Sequence, residues 1–489
     1  MKARSRISVM LMGKGRKQRK FSALSGGPHM RLYFQSVIIH HSAIKSPFFM
    51  SLGACRLKKS VLVSVLGLLA SLSFISCYSS PKKNPPSGLP DRVLVSQGVT
   101  STQTSGSLVV IDGFNDTIPR VSPLGAGSSP GLMAVSPSLN IAAAFDSSSN
   151  TVFAVDTTTE SSIGNVRLHG ATSSFVIPTS NPIGFAAVPA AAINGFSFIG
   201  AVEEMNFSGG GLITSIAVSN AETVISNSGA SQLLVFSNDS DSVTVLSPAA
   251  AVPPVDTSCL SNPPNAVCTI VPGFDRPVYG IINGNTAYIL NCGPQCGGVR
   301  ASVMVFDLPS LTITSTIPVD AATWALLNGS TLYVAGTSPT NHACTGQTTA
   351  ATTCGRLDIL DLTSGTVTGS AVITDGYHWR MDLNADGQLF IGSHTCTNIG
   401  NINNPTGGEI RGCLTIYRTT DGSLFFPPDN GDVNALQGFT SRQVEYVAEN
   451  GNLRVYELPQ DILLINDFLP QGNINIVGYV RDVKAIDFF

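Results

Sequence analysis

The fold is decided by the stretch PVYGIINGNTAYILNCGPQCGGVRASVMVFDLPSLTITSTIPV, residues 277–319. It contains four apolar runs of strand length (YGIIN, TAYILN, SVMVFD and LTITSTIPV), with Asn-Gly between the first two. Short apolar runs bounded by turn residues predict strands, and Asn-Gly is typical of tight hairpins. The stretch therefore predicts four antiparallel strands in meander order, which we name A, B, C and D.

The C run of this stretch recurs at spacings of 39–60 residues. Its eight copies are SLVVID from Ser107, TVFAVD from Thr151, AVEEMN from Ala201, SVTVLS from Ser242, SVMVFD from Ser302, RLDILD from Arg356, CLTIYR from Cys413 and NLRVYE from Asn452. A four-stranded unit with this period is typical of a propeller blade. We predict an all-β propeller of seven or eight blades over residues 91–489, eight by strand count. Seven would follow if the weak Ala201 copy merged into a neighbouring blade.

The two chain ends complement one another. Residues 92–121 supply strands B, C and D with no A strand before them, and the C-terminal VRDVKAIDFF supplies a lone A-like strand. We expect the two to pair near Val93–Ser96 and close the ring, which would leave no open sheet edge.

The repeats resemble those of the YVTN and NHL families of bacterial propellers. TLYVAG from Thr331, SVMVFD and LTITSTIPV carry the resemblance best, and it covers about residues 91–489. The resemblance implies the fold strongly and the function hardly at all.

Residues 50–77, MSLGACRLKKSVLVSVLGLLASLSFISC, read as a secretory leader with a basic start and a short apolar run. The end, Phe74-Ile75-Ser76-Cys77, resembles a bacterial lipoprotein signal, in which the cysteine receives lipid; an ordinary cleaved signal or an uncleaved anchor is the alternative. We expect the true start at Met50, residues 1–49 to be a disordered start-site artefact, and residues 78–90 to be a flexible tether. The protein would then be exported to the periplasm or cell surface.

Charge is distributed unevenly along the chain. No Asp or Glu precedes Asp91, and a chain starting at Cys77 has 15 basic and 31 acidic residues, a net charge of −16. So acidic a surface repels phosphate backbones, which argues against nucleic-acid binding.

Eight of the ten cysteines follow Cys77, as expected for disulfides in an exported chain. Proximity predicts the pairs Cys259–Cys268, Cys292–Cys296, Cys344–Cys354 and Cys396–Cys413. The last three lie between B and C strands, and we place Cys259–Cys268 between a D strand and the next A strand. All four would then staple one face, which also carries the long loops. Metal binding is the competing use, but the spacings do not match a zinc site.

A strands line the central channel of a propeller, and several arginine and aromatic residues fall in or just before them. These candidate ligand-binding residues are Arg276, Trp324, His378, Arg380, Arg442 and Arg481. Such side chains would suit an anionic or sugar-like ligand, although alternation would turn some of them into the packing between blades. Asp382, Asn384 and Asp386 match the start of a calcium loop, but they align with hairpin turns of other blades, and we favour the turn. We predict no metal and no cofactor.

These observations predict a monomeric binding or scaffold module of the bacterial cell envelope, attached to the membrane through its lipid only. Its partner would be an envelope protein or glycan that meets the disulfide-stapled face. The alternative is a propeller enzyme of the lactonase, hydrolase or quinone-dependent dehydrogenase type with its site in the channel. No usable catalytic motif is present, so the catalytic residues are unknown and we favour the non-enzymatic role.

Overall fold

The structure is a computed structural model that describes residues 85–99, 105–193, 199–260, 264–338, 354–396, 412–427, 431–439, 442–458, 460–466, 469 and 471–487. The predicted leader, Cys77 and Cys344 lie outside these residues, as does the side chain of Cys354. In the described part of the chain, no helix has the length and apolar character needed to cross a membrane.

The described residues form 33 strands and four short 3₁₀ turns. The strands of the first half are β1 (Arg92–Gly98), β2 (Ser107–Asp112), β3 (Pro130–Ser136), β4 (Ile141–Asp146), β5 (Thr151–Asp156), β6 (Ser161–Arg167), β7 (Ser174–Val176), β8 (Ile183–Val188), β9 (Ala201–Asn206), β10 (Gly211–Ala217), β11 (Ala221–Ser226), β12 (Leu233–Ser237), β13 (Ser242–Leu246), β14 (Val255–Asp256), β15 (Cys268–Pro272) and β16 (Pro277–Asn283). Those of the second half are β17 (Thr286–Asn291), β18 (Ser302–Asp307), β19 (Thr312–Pro318), β20 (Trp324–Asn328), β21 (Thr331–Ser338), β22 (Cys354–Asp361), β23 (Thr366–Ile373), β24 (Tyr377–Leu383), β25 (Gln388–His394), β26 (Leu414–Arg418), β27 (Leu424–Phe425), β28 (Val433–Phe439), β29 (Val444–Glu449), β30 (Asn452–Glu457), β31 (Ile462–Leu463), β32 (Asn473–Ile474) and β33 (Tyr479–Ala485). The 3₁₀ turns span Pro137–Leu139, Pro248–Ala250, Ser258–Leu260 and Gly293–Cys296.

These strands form eight sheets, antiparallel apart from the added strand β14, and the sheets are the eight blades of a propeller. In chain order the blades are β3-β4-β5-β6, β7-β8-β9-β10 with β14 added, β11-β12-β13-β15, β16-β17-β18-β19, β20-β21-β22-β23, β24-β25-β26-β27, β28-β29-β30-β31 with β32 added, and β33-β1-β2. The inner strands of neighbouring blades contact one another around the axis. The predicted fold and the count of eight are confirmed, because AVEEMN from Ala201 forms the C strand of a complete blade.

The last blade closes the ring as predicted. β33 pairs with β1 in the register Val93↔Ala485, Val95↔Val483 and Ser96↔Asp482, and β1 pairs with β2. Eight hydrophobic clusters fill the spaces between neighbouring blades, and one of them joins this composite blade to β28–β30. Every blade therefore packs against two neighbours.

Burial explains the sequence pattern of the blades. The B and C strands are covered on both faces, as in β4, where all six residues are buried, and they are accordingly apolar almost throughout. Outer strands such as β6 are largely exposed and rich in polar residues. The strand runs visible in the sequence are therefore chiefly the B and C strands.

The meander order defines two faces of the disc. A–B and C–D connections lie on one face, which we call the turn face, and B–C and D–A connections lie on the other, the loop face. At the A–B turn after β16, Asn283 pairs with Thr286, so Gly284 and Asn285 are the two central residues. Gly284 adopts a φ of +60°, as the first central position of a type II′ hairpin turn requires.

Three of the predicted disulfides are formed: Cys259–Cys268, Cys292–Cys296 and Cys396–Cys413. The last two lie in B–C connections on the loop face, as predicted. Our placement of Cys259–Cys268 was wrong, because Cys268 begins the outer strand β15 and the bond therefore closes a C–D connection. That connection contains β14, which pairs in parallel with β10 of the preceding blade. The disulfide thus stabilises a connection that links two neighbouring blades.

Candidate functional site

A cavity of about 410 Å³ lies on the axis of the propeller. All eight inner strands contribute to its lining, and we call it the channel cavity. Its wall is mostly apolar and aromatic, with residues such as Met133, Phe175, Val224 and Leu436. A concave apolar space with a few polar groups is the usual form of a small-molecule site.

Irregular pairing of the inner strands determines which side chains reach the cavity. The β24–β25 register shifts between His378 and Arg380, and the β16–β17 register shifts between Pro277 and Tyr279. A β-bulge interrupts strict alternation, so successive side chains can face the same side. Both Trp379 and Arg380 line the cavity as a result.

Three successive blades contribute a stacked aromatic group. Tyr279 of β16 lies parallel to Trp324 of β20, with ring centroids 3.9 Å apart. The Arg380 guanidinium of β24 lies 4.0 Å from the centroid of Trp379 and 5.6 Å from that of Trp324. Burial raises the pKa of Tyr279 to about 12, so its hydroxyl stays protonated at neutral pH. We call Tyr279, Trp324, Trp379 and Arg380 the aromatic–arginine group.

The position of Arg380 is unusual for a cation. Its Nη1 donates to the Trp379 carbonyl at 2.9 Å, whereas its buried Nε has no hydrogen-bond partner among the described residues. Desolvation lowers the pKa of Arg380, although an arginine remains charged at neutral pH. Asp482 is the carboxylate that acts on it electrostatically, but Asp482 accepts from Met133 N at 2.7 Å and pairs with Lys484 at 3.5 Å. Within the described chain, Arg380 forms no ion pair of its own.

The channel cavity opens toward the loop face through a second space of about 420 Å³, which we call the entrance groove. Glu222, Thr223, Val278 and Tyr377 line both spaces. Glu222 accepts a hydrogen bond from Ser173 Oγ at 2.8 Å, which fixes its carboxylate at the junction.

Loop-face connections form the rim of this groove. Cys296 lies in its lining, so the Cys292–Cys296 disulfide holds part of the rim. Gln295, between the two cysteines, accepts from Thr337 N at 2.8 Å and donates to Gly376 O at 3.2 Å. The disulfide loop is thereby fixed to the next two blades.

The structure brings only part of the predicted set together. Trp324 and Arg380 line the channel cavity, and Arg276 lies in the entrance groove, 3.7 Å from both Asp239 and Asp241. Arg481 is exposed on the loop face outside both linings, with its guanidinium 4.3 Å from the Tyr479 ring centroid.

His378 and Arg442 have structural positions away from the cavity. His378 is fully buried between blades, and its Nε2 donates to Thr374 O at 2.9 Å. The register shift between His378 and Arg380 turns the His378 side chain away from the axis. Arg442 lies at an A–B turn on the turn face, where both of its terminal nitrogens bind Asp116 at 2.7 Å. It joins the last blade to its neighbour rather than facing the channel.

Sequence reasoning missed Tyr279, Tyr377, Glu222 and Lys484, which also line the cavity. All four lie on inner strands, so the strand assignment itself was the available signal. The strand assignment does not give the position of each bulge. That position decides whether the side chains before the bulge face the cavity or the neighbouring blade.

The calcium candidate forms the β24–β25 hairpin turn. Asn384 Oδ1 accepts from the backbone of Asp386 at 3.1 Å and of Gln388 at 3.2 Å, and Asp382 accepts from the backbone of Gly438. Across the described residues, no group of three or more His, Cys, Asp or Glu is placed to hold a metal ion.

No protein-family model matches the chain, and no curated protein matches it. Among solved structures, the dihydro-heme d1 dehydrogenase NirN in complex with DHE is 11% identical, with a TM-score of 0.55 over 88% of this chain and 87% of that chain. The computationally designed Ika8 protein is 10% identical, with a TM-score of 0.48 over 74% of this chain and 96% of that one. Hydrazine synthase of Kuenenia stuttgartiensis is 11% identical, with a TM-score of 0.38 over 67% and 76% of the two chains. At these identities the likeness to NirN shows the fold alone, which is the eight-bladed β-propeller.

Proposed function

We propose that this protein is an exported, lipid-anchored binding propeller of the bacterial cell envelope, of YVTN/NHL type, which holds a small ligand in the channel cavity. The observation that carries the proposal is the aromatic–arginine group, in which Arg380 faces an apolar cavity without an ion pair among the described residues. A buried cation is costly unless it is paired, so a bound anion would compensate it.

The loop face supports this use of the cavity. The entrance groove gives a path to the axis, and the Cys292–Cys296 disulfide fixes one side of its rim. Rigidity at a rim lowers the ordering cost of binding. An envelope protein or glycan that meets the loop face would contact the same rim.

The chain enters the propeller on the opposite face. β1 begins at Arg92 on the turn face, and Ser87 just before it donates to Glu160 of the first C–D turn. A tether that leads from Cys77 would therefore join the propeller at the face opposite the entrance groove.

Tryptophan fluorescence tests the ligand site, because the chain has two tryptophans and both line the channel cavity. We expect a small-molecule extract of the envelope to change the emission of the full-length protein saturably. Thr223→Phe, at the junction of groove and cavity, should abolish the change, whereas Thr316→Phe on the exposed outer strand β19 should not. An equal response from both variants would refute the site.

The anchor is tested separately by labelling cells with a radioactive fatty acid. We expect label in the wild-type protein and none in Cys77→Ser, with release of that variant from the membrane fraction. Label retained in the variant would contradict lipidation at Cys77.

A further inference from the structure

We infer that the ligand of the channel cavity is a monocarboxylate with a flat, apolar or sugar-like body, and that Arg380 binds its carboxylate. This inference rests on the proposed function and specifies the chemical class of its ligand.

The number of available cations limits the charge of the ligand. In the described lining, Arg380 and Lys484 are the cationic residues, and Lys484 is already 3.5 Å from Asp482. One free guanidinium matches one carboxylate, which it can bind through two parallel hydrogen bonds. One guanidinium would neutralise only half the charge of a dianionic phosphate, and Glu222 at the entrance would repel it more strongly than a monoanion.

Backbone groups also face this space, because each inner strand is the edge strand of its blade, as β24 is beside β25 and β20 beside β21. Backbone N–H groups on that edge are neutral donors that serve any polar ligand. Arg380 adds a positive charge and an unpartnered Nε, so the preference for an anion rests on this side chain.

The wall specifies the rest of the ligand. The rings of Trp324 and Trp379 both lie against the guanidinium, and Tyr279 stacks on Trp324. A carboxylate in the plane of the guanidinium would place an attached ring or sugar against these aromatic faces. The volume of about 410 Å³ is near the lower end of the range for ligand sites, so the ligand is small.

The test uses the full-length protein and three monocarboxylates, phenylacetate, hexanoate and glucuronate, with phenylacetamide, hexanamide and glucuronamide as uncharged counterparts. We expect at least one carboxylate to change tryptophan emission saturably and to bind about tenfold or more tightly than its amide, as a charge-assisted bidentate contact predicts. Arg380→Gln should lose about tenfold or more of that affinity, and Arg380→Lys should be intermediate.

Arg481→Gln is the matched control, because Arg481 also stacks on an aromatic ring but lies outside the cavity lining. Its affinity should equal that of the wild type. An amide that binds as well as its carboxylate, an unchanged Arg380→Gln, or no response to any of the three acids would overturn the inference. If one of these outcomes occurs and the envelope extract still changes tryptophan emission saturably, only the monocarboxylate inference is refuted. If the extract also gives no saturable change, the proposed ligand site is refuted as well.

Discussion

Protonation of His378 should destabilise the propeller in acid. The imidazole is 0% exposed, and its Nε2 donates to the Thr374 carbonyl at 2.9 Å. Burial lowers the pKa of His378 from 6.5 to about 4 in the folded protein. Because the folded-state pKa is depressed, the stability contributed by the neutral ring is complete above the unfolded pKa of 6.5 and is lost as the pH falls toward 4.

The size of the effect follows from the shift. One pKa unit corresponds to about 1.4 kcal/mol, so protonation of His378 should remove about 3 kcal/mol of unfolding free energy between pH 7 and pH 4. His378→Gln retains a side-chain donor for Thr374 O and lacks the titratable ring. The wild type should therefore lose about 3 kcal/mol more than His378→Gln across this interval.

Guanidinium unfolding of both proteins at pH 7 and pH 4 measures this difference, and other titrating groups cancel in the comparison. An NMR titration of the ring protons, assigned through the variant, gives the pKa directly. Equal losses in the two proteins, or a midpoint near the ordinary histidine value, would refute the buried, neutral ring.

Three further predictions concern stability. Burial and a neighbouring carboxylate raise the pKa of Glu445 well above its usual value in the folded protein, so the free energy of unfolding should fall as the pH rises above about 4.5. Glu445→Gln should therefore raise the melting temperature at pH 8 and reduce the change of stability with pH. Arg442→Met leaves the buried carboxylate of Asp116 without its ion-pair partner and should lower the free energy of unfolding by about 3–5 kcal/mol in denaturant titrations. Adding Asp116→Asn to this variant should recover part of the loss. A double variant that is no more stable than Arg442→Met would contradict the ion-pair account. Gly376→Ala should lower the free energy of unfolding by about 2 kcal/mol or more in the same titrations, because φ at Gly376 is +98° and an added Cβ would lie 2.3 Å from a backbone oxygen. Gly229→Ala is the control and should leave stability nearly unchanged, because open space surrounds the position of its Cβ.

Much of the fold could be predicted because the B and C strands are buried on both faces. Continuous apolar runs such as IAAAFD in β4 and SLVVID in β2 follow directly from that burial, and Asn-Gly marks the turn between β16 and β17. The closing of the ring by β33 could also be predicted, because the N-terminal part of the propeller lacks an A strand and the C-terminal end of the chain supplies one.

The candidate site could be predicted only in part. Trp324 and Arg380 were correctly assigned to inner strands, but His378, two residues from Arg380, belongs to the packing between blades. A bulge of one residue reverses which face a side chain occupies, and it leaves no clear mark in the sequence. The position of Cys259–Cys268 was missed for a related reason, because an inserted connection displaced the expected fourth strand to β15.

The sequence by itself determined the repeated unit of four strands and their meander order, since each strand is a local pattern of burial and turns. It left the count at seven or eight blades, and the structure decided for eight. The tertiary structure alone decided that Tyr279, Trp324 and Arg380, which lie in three different repeats, meet on one axis. That meeting depends on the closure of eight blades and on the bulges at the inner strands. Both arise from contacts between segments far apart in the chain, which no local pattern encodes.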